Sequence, residues 1–99
     1  MLNVIGVEAT MAAQKIAIEN SRLGIPLMFG YDVVHGYQTM FPVPIAELAS
    51  FDTEIMMETA KIQAIEAAAG GINWTFAPMI DVGRDPRWGR VMELSLIHI

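Results

Sequence analysis

The sequence predicts an α/β chain organised around a right-handed βαβ unit with parallel strands. Three observations carry this. Two short apolar runs, 25–29 and 72–81, each lead into a polar loop that holds a carboxylate. A helix pattern lies between them, opened by Asp52 and closed by Gly70-Gly71. Finally, a strand–helix–strand crossover within one sheet is right-handed and makes its strands parallel.

The elements follow in order. Residues 8–23 read as a helix, with Ala13, Ile16 and Ala17 together at helical spacing and Gln14, Lys15, Glu19 and Arg22 on a polar side. Gly24 and Pro26 stop it. Ile25 to Phe29 is a continuous apolar run, as expected of a strand covered on both faces. Residues 30–44 carry Gly30, Gly36, Pro42 and Pro44 and read as a long loop, rich in aromatics (Tyr31, Tyr37, Phe41). Pro44 suits the first turn of a short helix at 44–50.

Asp52 is a good N-cap for the next helix, and Glu54 and Glu58 suit the positive end of its dipole. Met56, Ala60, Ala64 and Ala68 line its apolar face. Gly70-Gly71 ends the helix, and "INWTFAPMID", 72–81, forms the second apolar strand. Both strands then finish at one edge of the sheet, the carboxyl edge, where parallel α/β folds bind ligands. Asp32, just past the first strand, stands at that edge.

The chain has 99 residues, of which 54% are AVILMFWYC and 17% charged. This apolar excess over ordinary usage predicts a piece of something larger, whose apolar faces expect neighbours. The formal net charge of −5 argues against nucleic acid or an anionic membrane as partner. With no cysteine, disulfide and thiolate chemistry are excluded. No run of 18 apolar residues is present, and "MLNVIGVEAT" lacks the basic stretch of a signal peptide.

Two segments could carry chemistry. Asp32 can accept hydrogen bonds from a polyol in a cleft; equally it can form an Asx-turn or cap the following loop. "DVGRDPRWGR", 81–90, holds three of the six basic residues, Arg84, Arg87 and Arg90, among Asp81 and Asp85, with Glu93 just beyond. It reads either as a solvated web of ion pairs or as a site in which arginines present donors and Trp88 an apolar plate to a sugar face. Some of these arginines are expected to bind the loop's own aspartates. His35 is expected to be a structural hydrogen-bonder rather than a base. Metal-ligand spacings, dinucleotide and phosphate loops and a nucleophile elbow are absent from the sequence, so neither metal nor cofactor is predicted.

"SRLGIPLMFGYDVVHGYQTMFPVPIAELASFD" followed by "INWTFAPMIDVGRDPRWGRVME" resembles the N-terminal barrel domain of family 3 glycoside hydrolases, on the periplasmic-type bacterial β-glucosidase side, across roughly residues 8–93. The resemblance implies a part of a TIM-like (β/α)8 barrel. It also implies a retaining β-glucosidase acting on β-glucosides or short oligosaccharides, with no cofactor, exported to the periplasm or secreted. Asp32 matches the family's aspartate that binds sugar hydroxyls in the −1 subsite, and Arg90 the arginine that holds the same ring. Arg84, Asp85 and Arg87 match the motif as loop scaffolding; Glu93 matches the start of the next acidic segment without a firm role. Trp88 and His35 remain candidates for site support.

The family's lysine-histidine pair, nucleophile aspartate and acid/base glutamate match no residue here, so this piece is expected to hold no catalytic residue and to need the remainder of the parent barrel. The alternative is a non-catalytic glycan-binding or structural α/β fragment. After Glu93 the family pattern breaks into "LSLIHI", which matches one reading frame of a common sequencing adapter. Residues 1–93 are therefore expected to be the domain segment and 94–99 a non-native tail, with His98 outside any site.

Overall fold

A computed structural model describes residues 1–94; the expectation for the tail beyond Leu94, His98 included, lies outside the described residues. The order is α1 (Val7–Asn20), β1 (Gly30–Tyr31), α2 (Pro44–Leu48), α3 (Thr53–Ala69), β2 (Trp74–Thr75) and a 3-10 turn (Val91–Glu93). β1 and β2 are parallel, Gly30 opposite Trp74 and Tyr31 opposite Thr75. On the other side of β1, Leu2 forms a parallel bridge to Gly30, the Asn3 amide donates to the Gly30 carbonyl (3.2 Å) and the Gly30 amide to the Met1 carbonyl (2.8 Å). The α/β class and the parallel pairing are as expected.

The helix ends follow local chemistry. The Asp52 side chain accepts from the amides of Glu54 (3.0 Å) and Ile55 (3.1 Å), satisfying two donors that the first turn of α3 leaves without helical partners. Pro44 sits in the first turn of α2. Gly71, at φ +87°, takes the chain out of α3 in a conformation that a side chain would resist. A Cβ there would also meet Thr10 of α1.

Three expectations need correction. The strand placed at 25–29 pairs only at Gly30–Tyr31, because the groups before it are taken elsewhere: the Leu27 amide donates to Gln14 Oε1 (2.8 Å) and the Phe29 amide to Asn73 Oδ1 (2.8 Å). The strand placed at 72–81 is likewise ladder-paired only at Trp74–Thr75. In α1, Ile16 is exposed, while the packed stripe is Thr10, Ala13, Gln14 and Ala17. Gln14, expected on the polar side, turns inward as the acceptor for Leu27.

The core is small. Phe29, Val33, Ala67 and Ile72 are buried together, with Val4, Ala13, Leu27, Tyr31 and Tyr37 packed against them. Tyr31 and Tyr37 meet edge to face at 5.8 Å. A second anchor is Leu94, 1% exposed, which forms a parallel bridge to Met79 and lies where a Cβ on Gly83 would stand.

Much of the apolar surface stays open. The chain exposes 7099 Å², whereas a self-contained monomer of this mass exposes about 5600 Å². Its radius of gyration is 16.2 Å, against about 12.6 Å for a compact domain of this length. The face of α3 bearing Met56, Ala60 and Ala64 lines an open cleft instead of the core, and Phe51 is 92% exposed.

Candidate functional site

The cleft has a volume of about 410 Å³. Its floor is the apolar face of α3 with Leu48 of α2, and its wall is β2 and the residues after it, including Trp74, Phe76 and Met79. Trp74 and Phe76 pack against each other with ring centres 4.9 Å apart. At the carboxyl ends of the strands, Asp32, Arg90 and Glu93 add three charged groups to the lining.

These three are joined. Arg90 Nη2 donates to Asp32 Oδ2 at 3.0 Å across 58 positions of sequence. Arg90 Nε and Nη2 both donate to Glu93 Oε2, the former at 2.9 Å. The structure thus brings together the two residues expected to share a hollow, and among the described hydrogen bonds Arg90 is the side-chain partner of Asp32. Asp32 forms no Asx-turn among them.

The local folding is direct. Buried Phe29 and Val33 bracket β1 and leave Asp32 at the surface just past it. The turn Val91–Glu93, with the Glu93 amide donating to the Arg90 carbonyl (3.0 Å), folds residue 93 back over residue 90.

The electrostatics follow from these contacts. Arg90 is pushed above its ordinary value, first by the hydrogen bond to Glu93, with Asp32 a lesser contributor. The Glu93 carboxyl is held below its ordinary value, first by Arg90 and with a smaller contribution from the charge of His35. The Asp32 and Arg90 side chains are 44% and 49% exposed, that of Glu93 only 20%, so Glu93 is the inner partner.

The other candidates stand apart from the cleft lining. Arg87 forks onto Asp85 through Nε (3.0 Å) and Nη2 (2.7 Å), and its amide also donates to Asp85 Oδ1 (2.9 Å). That pair closes the exposed turn in which the Trp88 amide reaches the Asp85 carbonyl (3.1 Å). Arg84 is exposed, and Trp88 is not part of the cleft lining, where the aromatic surface comes from Trp74 and Phe76. His35 Nδ1 lies 3.0 Å from the Phe41 carbonyl. A carbonyl only accepts, so the ring N–H is on Nδ1 and the imidazole pins its loop. Among the described residues no cluster of His, Cys, Asp or Glu could hold a metal ion, and no helix is long and apolar enough to cross a membrane.

Sequence reasoning named Glu93 but gave it no role, and it missed the Trp74–Phe76 wall. Alternation along "NWTF" could have placed Trp74 and Phe76 on one strand face. The three-residue spacing of Arg90 and Glu93 could have paired them, had a helical turn been assumed there.

The loop behind Asp32 is fastened by Glu66 of α3, whose carboxylate accepts from the amides of Gln38 and Thr39 (2.9 Å each) and from the Thr39 hydroxyl (2.6 Å). The Thr39 hydroxyl first, then the two amides, hold this carboxyl below its ordinary value of 4.5. A depressed folded-state value adds stability that is full above the unfolded value and is lost as pH falls through the folded one. Urea midpoints measured from neutral pH downward should therefore fall below pH 4.5, and Glu66→Gln should flatten that acid limb while lowering the neutral plateau. An acid limb unchanged in the variant would contradict this.

Comparison with known proteins gives a consistent picture. The family model described as glycosyl hydrolase family 3 N terminal domain matches residues 3–95. The chain is 52% identical over 73 residues to the periplasmic β-glucosidase of Salmonella typhimurium, covering 74% of this chain and 10% of that protein. It is 38% identical over 85 residues to the lysosomal β-glucosidase of Dictyostelium discoideum, covering 81% of this chain and 10% of that one. The crystal structure of a β-glucosidase from Listeria innocua in complex with isofagomine superposes with a TM-score of 0.88 at 47% identity, over 95% of this chain and 13% of that chain. The same enzyme has been crystallised with glucose and, as a mutant, with laminaribiose. The chain spans about a tenth of the length of these curated relatives.

Proposed function

Because the chain belongs to glycosyl hydrolase family 3, we propose that it is a segment of the N-terminal barrel of a retaining β-glucosidase, which removes terminal β-D-glucosyl residues from β-glucosides. Residues 1–93 are the domain segment and 94–99 a non-native tail. Asp32 and Arg90 hold the sugar ring at the −1 subsite, and the remainder of the barrel completes the pocket. The observation that carries this reading is the 3.0 Å Asp32–Arg90 contact at the carboxyl ends of two parallel strands, beside an aromatic wall.

Retaining hydrolysis needs two carboxyl groups about 5 Å apart across the scissile bond, one a nucleophile and one a proton donor with a raised pKa. Asp32 and Glu93 both close on one guanidinium, and Glu93 is shifted the wrong way for an acid. Asp32 and Arg90 suit sugar binding, where a carboxylate accepts from hydroxyls and a guanidinium donates to ring substituents. The contacts orient the ring and gain strength toward the transition state. Asp85 and Arg87 shape the loop that presents Arg90.

The catalytic carboxylates then lie outside this chain, and the 1500 Å² or so of surface beyond a self-contained domain's expectation is where the rest of the barrel packs. The test is to express both the full-length gene product and the 99-residue chain and assay each on an aryl β-glucoside. The full-length protein should hydrolyse it; the isolated chain should neither hydrolyse it nor bind glucose. Hydrolysis by the chain alone, or a parent gene without a later lysine-histidine pair and aspartate, would overturn the proposal.

A further inference from the structure

Glu93 is the residue whose position the proposed mechanism leaves unexplained. It is the most enclosed of the three charged groups at the cleft, yet it faces no sugar-binding role of its own: its Oε2 is taken by two donors of Arg90. We infer that Glu93 is a positioning residue, which locks the Arg90 guanidinium in one orientation and thereby leaves Asp32 free to accept from the substrate.

The geometry supplies both halves. Arginine has a long, rotamer-rich side chain, and a guanidinium held on one edge loses that freedom before substrate arrives. Nε and one hydrogen of Nη2 are committed to Glu93, and the 3-10 turn that makes this contact is closed by the Glu93 amide on the Arg90 carbonyl. The contact to Asp32 then uses what remains of Nη2, while among the described hydrogen bonds Nη1 and Asp32 Oδ1 are unused. Those two atoms are a donor and an acceptor left over by the one contact, the complement that sugar hydroxyls, which both donate and accept, can use.

Charge matters as much as direction. With Asp32 as its sole anion, the guanidinium would rotate into a two-pronged fork on that carboxylate and occupy both its oxygens. A second carboxylate, deeper and closer, competes for the fork and prevents this. The triad carries a net charge of −1, so Asp32 keeps acceptor strength.

This inference rests on Asp32 and Arg90 being the glycone contacts, and the test separates the two. In the full-length enzyme, Arg90→Ala, Glu93→Ala, Glu93→Gln and the double alanine variant are compared by kcat/KM on an aryl β-glucoside. Glu93→Ala should lower kcat/KM about tenfold to a hundredfold, the worth of one charge-assisted contact. Glu93→Gln, which keeps an oxygen for Nε–H, should recover a large part of the loss. The double variant should be no worse than Arg90→Ala alone, because a positioning residue has nothing left to position. Glu93→Gln also carries the test should the alanine variant fail to fold.

A Glu93→Ala enzyme within twofold of the native one, or a double variant whose losses simply multiply, overturns the positioning role while leaving the sugar-binding role of Arg90 intact. An Arg90→Ala enzyme of undiminished kcat/KM overturns the glycone reading itself, and the inference with it.

Discussion

Asp32→Ala in the full-length enzyme is expected to lower kcat/KM for a β-glucoside about a thousandfold while hardly changing its thermal stability. Two hydroxyl contacts to an ionised acceptor, at about 2 kcal/mol each, sum to about 4 kcal/mol, and each factor of ten in rate takes about 1.4 kcal/mol. The stability side follows from exposure: the Asp32–Arg90 pair is 44% and 49% exposed, and ion pairs in such settings contribute about 0–1 kcal/mol. Asp32→Asn, which keeps one acceptor oxygen, should fall between. Steady-state kinetics beside a melting curve measure both. Activity within tenfold of native would remove Asp32 from the subsite, and a melt lowered in proportion to the activity would make its role structural.

The second large effect is on folding. Gly36→Ala should destabilise the protein by about 3 kcal/mol or more, because strained backbone alone costs about 1–3 kcal/mol and a steric clash adds to it. Gly36 has φ +143°, and a Cβ there would stand 2.1 Å from the Thr39 carbonyl oxygen and 3.0 Å from the Met40 Cα. Both are backbone atoms of the same tight loop, closed by the Phe41 amide on the His35 carbonyl (2.7 Å) and the antiparallel bridge of Gly36 to Met40. They cannot step aside without breaking the loop that Glu66 fastens. Gly89→Ala is the control: an added Cβ meets nothing within 4 Å among the described residues, and its φ lies outside the range that strains a side chain. It should be neutral within about 0.5 kcal/mol. Urea unfolding of both variants decides; equal midpoints would contradict the strain argument.

What could be read in advance was local chemistry. Asp52 caps α3 because a short side-chain oxygen beside free amides has one obvious use, and Pro44 opens α2 because its missing N–H is no loss there. The extent of the strands could not be read that way. The run 25–29 says that apolar residues gather, not which backbone groups pair, and here Gln14 and Asn73 take amides that a ladder would have used. The stripe of α1 was misjudged for a similar reason: Thr10 is buried because Gly71, 61 positions later, leaves room for it. That Asp32 and Arg90 would meet was legible through the shared strand edge. The pairing of Glu93 with Arg90 was not, because it depends on a single 3-10 turn.

The open face of α3 has a consequence for biogenesis. In the proposed longer chain, residues are added at about 5–20 per second, and this segment is made before whatever follows it. Until the part of the proposed barrel that covers Met56, Ala60 and Ala64 has been made, the nascent polypeptide offers a ready-made sticky wall to whatever it meets. Synthesis of the intact enzyme should accordingly lean on chaperones that grip bare apolar surface during translation.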